Sequence, residues 1–97
     1  MKMEEIQMDR TSFEAKLQRE GYPEIRVQSY QPNHHNAEHS HPFDAHALIL
    51  EGAITITVDG KPTTYRAGDQ FMVKAGTRHT EDMGPQGVSY VVGRRPI

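Results

Sequence analysis

From residue 47 onwards the sequence consists of short apolar runs that alternate with polar residues and are separated by turns containing glycine. Isoleucine and valine alternate with threonine over 54–58, and the Asp59-Gly60 pair that follows is typical of a type I′ β-hairpin. No part of this region has helical periodicity. The predicted strands are 24–31, 47–51, 54–58, 61–66, 70–73, 79–83 and 88–92. Many short strands joined by such turns predict an all-β sandwich or barrel.

Three polar segments are predicted to lie outside the strands. Residues 32–38, which contain His34 and His35, predict a solvated loop. Residues 84–87, with two glycines and a proline, predict a turn, and 93–96 predict a polar tail.

A short helix is predicted before the first strand, over about residues 12–20. Thr11 has the position of an N-cap, and Glu14 stands three residues later, as in a capping box. Phe13 and Leu17 share one helical face. We expect this helix to cover an open end or an edge of the sheet.

Length and composition exclude several classes of protein. The 97 residues predict one barrel domain at 24–97 after an N-terminal segment at 1–23, whose residues 1–9 are expected to be loose or to form a sheet edge. A net charge of -2 gives no electrostatic reason to bind nucleic acid or an anionic membrane surface. The absence of cysteine excludes disulfides, thiolate zinc sites and cysteine nucleophiles. No signal peptide or membrane-length apolar run is visible, so a cytoplasmic location is the expectation.

A pair of histidines begins the apolar stretch that ends at Gly52. His39 and His41 are two positions apart, and residues so spaced on a strand point to the same face. Two neutral imidazoles from one strand make half of a transition-metal site, which needs one or two further ligands. His79, after another apolar strand and a tight turn, is the candidate for the third ligand.

The spacing of these histidines resembles the first motif of the cupins, small double-stranded β-helix (jelly-roll) proteins. That motif reads G-x5-H-x-H-x3,4-E-x6-G. His39, His41 and Gly52 match it. Asn33 stands in place of the first glycine, and Ala45 in place of the glutamate.

The second cupin motif, G-x5-P-x-G-x2-H-x3-N, is similar to the segment that begins at Gly68. Gly76 and His79 match at the required spacing. Lys74 replaces the proline and Met83 the asparagine. The resemblance covers about residues 24–92 and implies an all-β jelly-roll barrel after the short helix.

The resemblance implies that His39, His41 and His79 are metal ligands, but the carboxylate that cupins usually add is absent, because Ala45 has no ligand atom. The motif allows three or four residues between its second histidine and its glutamate. With four residues after His41, the glutamate position is occupied by His46, which could then be a fourth ligand. A β-bulge would turn His46 inward; without one it faces away from the other histidines. Asp44 is a weaker reserve ligand.

Three functional classes remain open. The first is an enzyme, oxygenase-like or isomerase-like, in which a divalent transition metal (iron, nickel, manganese, copper or zinc) acts on a small organic molecule. The second is a non-catalytic cupin that binds or senses a small molecule, and the third is a metal-free structural cupin. Ligation by histidine disfavours magnesium and calcium. By analogy with small cupins we also expect a homodimer, which would cover open sheet edges.

Overall fold

The computed structural model describes residues 8–97, and the predicted segment 1–9 therefore lies mostly outside the described residues. The described part contains one helix and six strands. They are α1 Arg10–Arg19, β1 Glu24–Tyr30, β2 His35–His39, β3 Phe43–Val58, β4 Lys61–Arg66, β5 Gln70–Val73 and β6 His79–Pro96. The one helix among the described residues is not long and apolar enough to span a membrane.

Two long antiparallel strands, β3 and β6, form the centre of the molecule. The sheet has the order β1-β6-β3-β4, while β2 pairs with β6 and β5 pairs with β3. The register between β3 and β6 shifts around Gly52. Here an added Cβ on Gly52 would overlap the carbonyl oxygen of Gly87, and Gly52 has φ +77°. Only a residue without a Cβ allows the two strands to approach so closely in this conformation.

Alternate residues of β3 and β6 pack on opposite faces of the sheet. The inner face of β3 contributes Ala45, Ala47 and Ile49 to the barrel core. The outer face contributes Leu48, which packs with Val91 against the helix. This period-two division follows from strand geometry and decides which histidines reach the barrel interior.

The helix covers the outer face of the two central strands, whereas the expectation was an open end or edge. Phe13 and Leu17 are fully buried there, as their shared face predicted. The predicted N-cap was wrong, because Asp9 caps the helix and its Oδ1 accepts the Ser12 backbone N–H at 2.8 Å. Thr11 lies inside the first turn.

The strands are fewer and longer than predicted. The hairpin at Asp59-Gly60 is confirmed, since both residues have positive φ, 52° and 75°, as a type I′ turn requires. The predicted pairs 47–51 and 54–58, and 79–83 and 88–92, are each one continuous strand. Residues 35–38 of the predicted loop 32–38 belong to β2, and β6 runs through the predicted turn 84–87 and the predicted tail 93–96. Pairing between distant segments, which local composition does not reveal, explains these differences.

Candidate metal centre

Four side chains converge on the inner side of the barrel. The ligand atoms of His39, His41, His79 and Glu81 all lie within 4.8 Å of one another. His79 and Glu81 are 2% and 8% exposed, while His39 and His41 are partly exposed. The group therefore has a buried side formed by β6 and an accessible side formed by the end of β2 and the residues after it.

The register between β2 and β6 produces this convergence. His39 and His79 are direct partners across the two strands, and their ring centroids are 4.4 Å apart. Glu81 lies two residues after His79, so it points to the same face. The His41 ring is 4.7 Å from that of His39 and 5.4 Å from that of His79.

Hydrogen bonds orient two of the imidazole rings. The Nδ1 atoms of His39 and His79 lie 2.6 and 2.9 Å from the carbonyl oxygens of Ala37 and Thr77. A carbonyl only accepts, so each Nδ1 carries the hydrogen and donates it. In the neutral tautomer each Nε2 then has a free lone pair, which is the arrangement usual for histidines that bind metal.

The lone pair of His79 Nε2 faces a second electron-rich atom. Glu81 Oε2 lies 3.2 Å from it, and Glu81 Oε1 accepts a hydrogen bond from Asn36 Nδ2 at 2.7 Å. A lone pair and a carboxylate oxygen at this distance repel each other unless a proton or a metal ion lies between them. The donor set of three imidazoles and one carboxylate fits a divalent transition metal.

The environment also favours neutral imidazoles. Burial lowers the pKa of His41, and the neighbouring His39 and His79 lower it further. A lowered pKa keeps the His41 ring unprotonated near neutral pH, which is the form that binds metal.

A cavity of about 370 Å³ adjoins the four residues. Its walls include the aromatic ring of Phe71, the phenol of Tyr90 and the guanidinium of Arg94. Tyr90 is 6% exposed, and burial raises its pKa, so its hydroxyl remains protonated. The cavity volume is at the lower end of the range for small-molecule sites, about 300–1,000 Å³.

A family model for the cupin domain matches residues 26–82, which is more than half of the chain. The chain belongs to the cupin domain family. The family accounts for the paired histidine motifs that the sequence resembles, and both motif regions lie in the barrel.

Comparison with known proteins identifies relatives of this cupin. The dimethylsulfoniopropionate lyase DddW of Ruegeria pomeroyi is 30% identical over 69 residues, which are 71% of this chain and 45% of that protein. The chain thus matches less than half the length of that lyase. A protein of unknown function from Rhizobium leguminosarum superposes with a TM-score of 0.70 at 20% identity, covering 75% of this chain and 69% of that one. A conserved protein of unknown function from Streptococcus pyogenes has a TM-score of 0.64 at 27% identity, covering 75% and 64%. The predicted cupin jelly roll is confirmed.

Sequence reasoning missed Glu81, the carboxylate of this cupin's cluster. The resemblance places the carboxylate at the position of Ala45, where the first motif usually has glutamate. Ala45 does line the cavity, but the carboxylate comes from β6 instead. The available signal was the spacing from His79 to Glu81, which places both side chains on one face of a strand.

The prediction that His46 joins the other histidines is corrected. His46 pairs with Gly93 and Met72 in regular register, and no bulge turns it inward. Its ring lies on the outer face, 5.1 Å from the Phe13 ring, and Gln70 Oε1 lies 3.0 Å from its Nε2. Asp44, the reserve ligand, accepts the Ala75 backbone N–H at 2.8 Å and is not part of the cluster.

The buried position of His46 predicts a pH-dependent stability. Burial lowers its pKa and nearby Lys16 adds to this, whereas the hydrogen bond with Gln70 and the carboxylate of Glu20 oppose it. The unfolded chain therefore binds a proton at His46 at higher pH than the folded protein does. We expect the free energy of unfolding to fall as the pH drops below about 6.5, down through the lowered pKa of the folded state.

The measurement is urea unfolding of metal-free protein between pH 5 and pH 8, for the wild type and for His46→Gln. His41 is present in both proteins, so its own titration cancels in the difference. The stability advantage of the wild type over the variant should shrink as the pH falls. A difference that stays constant across this range would show that His46 does not contribute.

Proposed function

We propose that this cupin binds one divalent transition-metal ion through His39, His41, His79 and Glu81 and acts with it on a small organic molecule in the adjoining cavity. The observation that carries the proposal is the convergence of four ligand atoms within 4.8 Å at the wall of a cavity of about 370 Å³. Iron, nickel, manganese, copper and zinc all accept such ligands, whereas magnesium and calcium prefer oxygen. A metal held by these four residues would supply Lewis-acid chemistry to the bound molecule.

The protein's own side chains have distinct roles in this proposal. The carbonyls of Ala37 and Thr77 hold the rings of His39 and His79 with Nε2 directed away from those carbonyls. Asn36 donates to Glu81 and fixes its carboxylate. Tyr90 lines the cavity, and burial keeps its phenol protonated. The 30% identity with a protein named as a lyase supports non-redox chemistry rather than an oxygenase reaction.

A second candidate function is binding or sensing of a small molecule without turnover. Glu81 is the one carboxylate among the described residues that line the cavity. If it holds the metal, no second carboxylate is present there as a general base, which favours a binding protein. Turnover of any small organic molecule by the metal-loaded protein separates the two candidates.

The first test is metal analysis by mass spectrometry on protein purified without an affinity tag and then loaded separately with iron, nickel, manganese, copper or zinc. We expect about one ion per chain for the wild type and none retained by His39→Ala. His35→Ala is the matched control, because His35 lies on the same strand but is exposed and pairs with Asp82 at 2.6 Å. It should keep the wild-type metal content. Wild-type protein that takes up none of these metals would refute the proposal.

A further inference from the structure

Arg94 lines the cavity but is not one of the four residues of the metal cluster. It lies on β6, where its backbone pairs with Ala45 of β3 and Glu24 of β1. Together with Tyr90 and Val92, its alternate neighbours on the strand, it lines the cavity beside the cluster. The segment was predicted to be a solvated tail, so the sequence offered no reason to assign it to the site.

Aromatic contacts connect Arg94 to the metal cluster. Its guanidinium carbon lies 4.8 Å from the centroid of the Phe43 ring. Phe43 in turn stacks on His41, with the ring centroids 4.7 Å apart and the planes 20° from parallel. A guanidinium that rests on an aromatic face keeps its N–H groups free for hydrogen bonds at its edge.

The N–H groups of Arg94 have no protein partner among residues 8–97. Within that range, the guanidinium groups of Arg10, Arg26 and Arg78 each pair with a glutamate, and Arg95 donates to the Glu20 carbonyl at 2.9 Å. Within residues 8–97, the partly buried Arg94 side chain forms no salt bridge with a carboxylate and no hydrogen bond with a carbonyl. The N–H groups of Arg94 are therefore available to an acceptor on a ligand in the cavity, and such charge-assisted hydrogen bonds are strong.

The charges in the cavity favour an anion. Among the described lining residues, Arg94 is the one arginine or lysine and Glu81 the one carboxylate. A divalent ion held by Glu81 and neutral histidines leaves the site with a net positive charge, which an anionic ligand neutralises. One planar guanidinium matches one planar carboxylate through two parallel hydrogen bonds. The apolar walls formed by Phe71 and Val73 suit an aliphatic body.

We infer that Arg94 binds the carboxylate of a small aliphatic organic acid that occupies this cavity. The inference rests on the proposed function, and it narrows the ligand from any small organic molecule to a carboxylate. A phosphate or phosphonate offers related oxyanion chemistry, and the test includes a phosphonate to distinguish it from a carboxylate.

The test uses butyrate and its neutral analogue butyramide as probes in NMR titrations of the zinc-loaded protein. Wild-type protein should bind butyrate more tightly than butyramide. Arg94→Gln should lose about tenfold or more in butyrate affinity, because a charged, paired hydrogen bond is removed, and should bind butyramide unchanged. Equal butyrate binding by the wild type and the variant overturns the inference, as does a wild type without preference for butyrate. Tighter binding of propylphosphonate than of butyrate overturns the assignment of a carboxylate.

Arg95→Gln is the matched control. Arg95 is the next residue on the same strand, but its guanidinium lies on the helix side, 4.3 Å from the Tyr22 ring centroid. The Arg95→Gln variant should therefore bind butyrate with the affinity of the wild type. Arg94→Lys keeps the charge without the planar fork and should bind butyrate less tightly than the wild type, which preserves the test if the glutamine variant does not fold.

Metal content measured in the same samples separates this inference from the proposed function. If Arg94→Gln has the zinc content of the wild type but no longer prefers butyrate to butyramide, the result supports both the proposed function and the inference about Arg94. If Arg94→Gln has the zinc content and the butyrate affinity of the wild type, the inference about Arg94 fails while the proposed function stands. If the wild type takes up neither zinc nor any of the other four metals, the proposed function fails, and titration of the metal-free protein with butyrate still tests Arg94.

Discussion

The Glu81→Gln variant is expected to bind metal about tenfold to a hundredfold more weakly than the wild type, and His79→Ala is expected to retain none through purification. Glutamine keeps an oxygen that accepts the hydrogen bond from Asn36, so the substitution removes mainly the negative charge beside His79 Nε2. Even the loss of residues that merely orient ligands weakens metal binding by about tenfold to a hundredfold, and we expect a ligand itself to matter at least as much. Competition with a chelator of known affinity measures the change.

Asp82→Asn is the matched control for this prediction. Asp82 is the next residue on the same strand, is exposed, and pairs with His35 rather than with the cluster. Its metal affinity should stay within about twofold of the wild type, because a surface charge contributes little. If Glu81→Gln and Asp82→Asn bind metal equally well, Glu81 is not a ligand, and the site reduces to the three histidines.

The second large effect is expected from Gly52→Ala, which should lower the free energy of unfolding by about 3 kcal/mol or more. A Cβ at this position would overlap the carbonyl oxygen of Gly87, which is backbone and has no rotamer to relieve the contact. The positive φ of +77° adds a penalty for any residue with a Cβ. Urea unfolding of the metal-free protein measures the change.

Gly60→Ala separates the steric effect from the conformational one. Gly60 has nearly the same φ, +75°, but an added Cβ meets nothing within 4 Å. Gly60→Ala should lower the free energy of unfolding by about 1–2 kcal/mol, the usual penalty for a residue with a Cβ in a left-handed conformation. Similar losses in the two variants would mean that the approach of Gly52 to Gly87 does not constrain the fold.

The position of the carboxylate distinguishes this cupin from the motif it resembles. In the motif the glutamate belongs to the first segment, where this chain has Ala45. Here Glu81 of the second segment lies at the wall of the same cavity. Ala45 then leaves space in the cavity where the motif's glutamate would project.

Much of the fold could be predicted because it depends on local properties. Period-two alternation revealed the strands, and the Asp59-Gly60 pair revealed the hairpin. The spacing of Phe13 and Leu17 identified the buried face of the helix. The cap was missed because Asp9 and Thr11 are both good N-cap residues, and residue type alone does not select between them.

The candidate site was predicted only in part, because some of its residues are positioned by the pairing of strands that are distant in the sequence. The sequence by itself indicated that His39 and His41 lie close together and that His79 belongs to a second motif of matching spacing. The expected reason was wrong for His41, because β2 ends at His39 and His41 lies between β2 and β3. The tertiary structure alone decided that His46 faces the helix, and that Glu81 and Arg94 line the cavity. These facts depend on the register between β6 and its distant neighbours β2 and β3. A shift of one residue in that register would reverse every side chain on the strand, and no local pattern in the sequence specifies it.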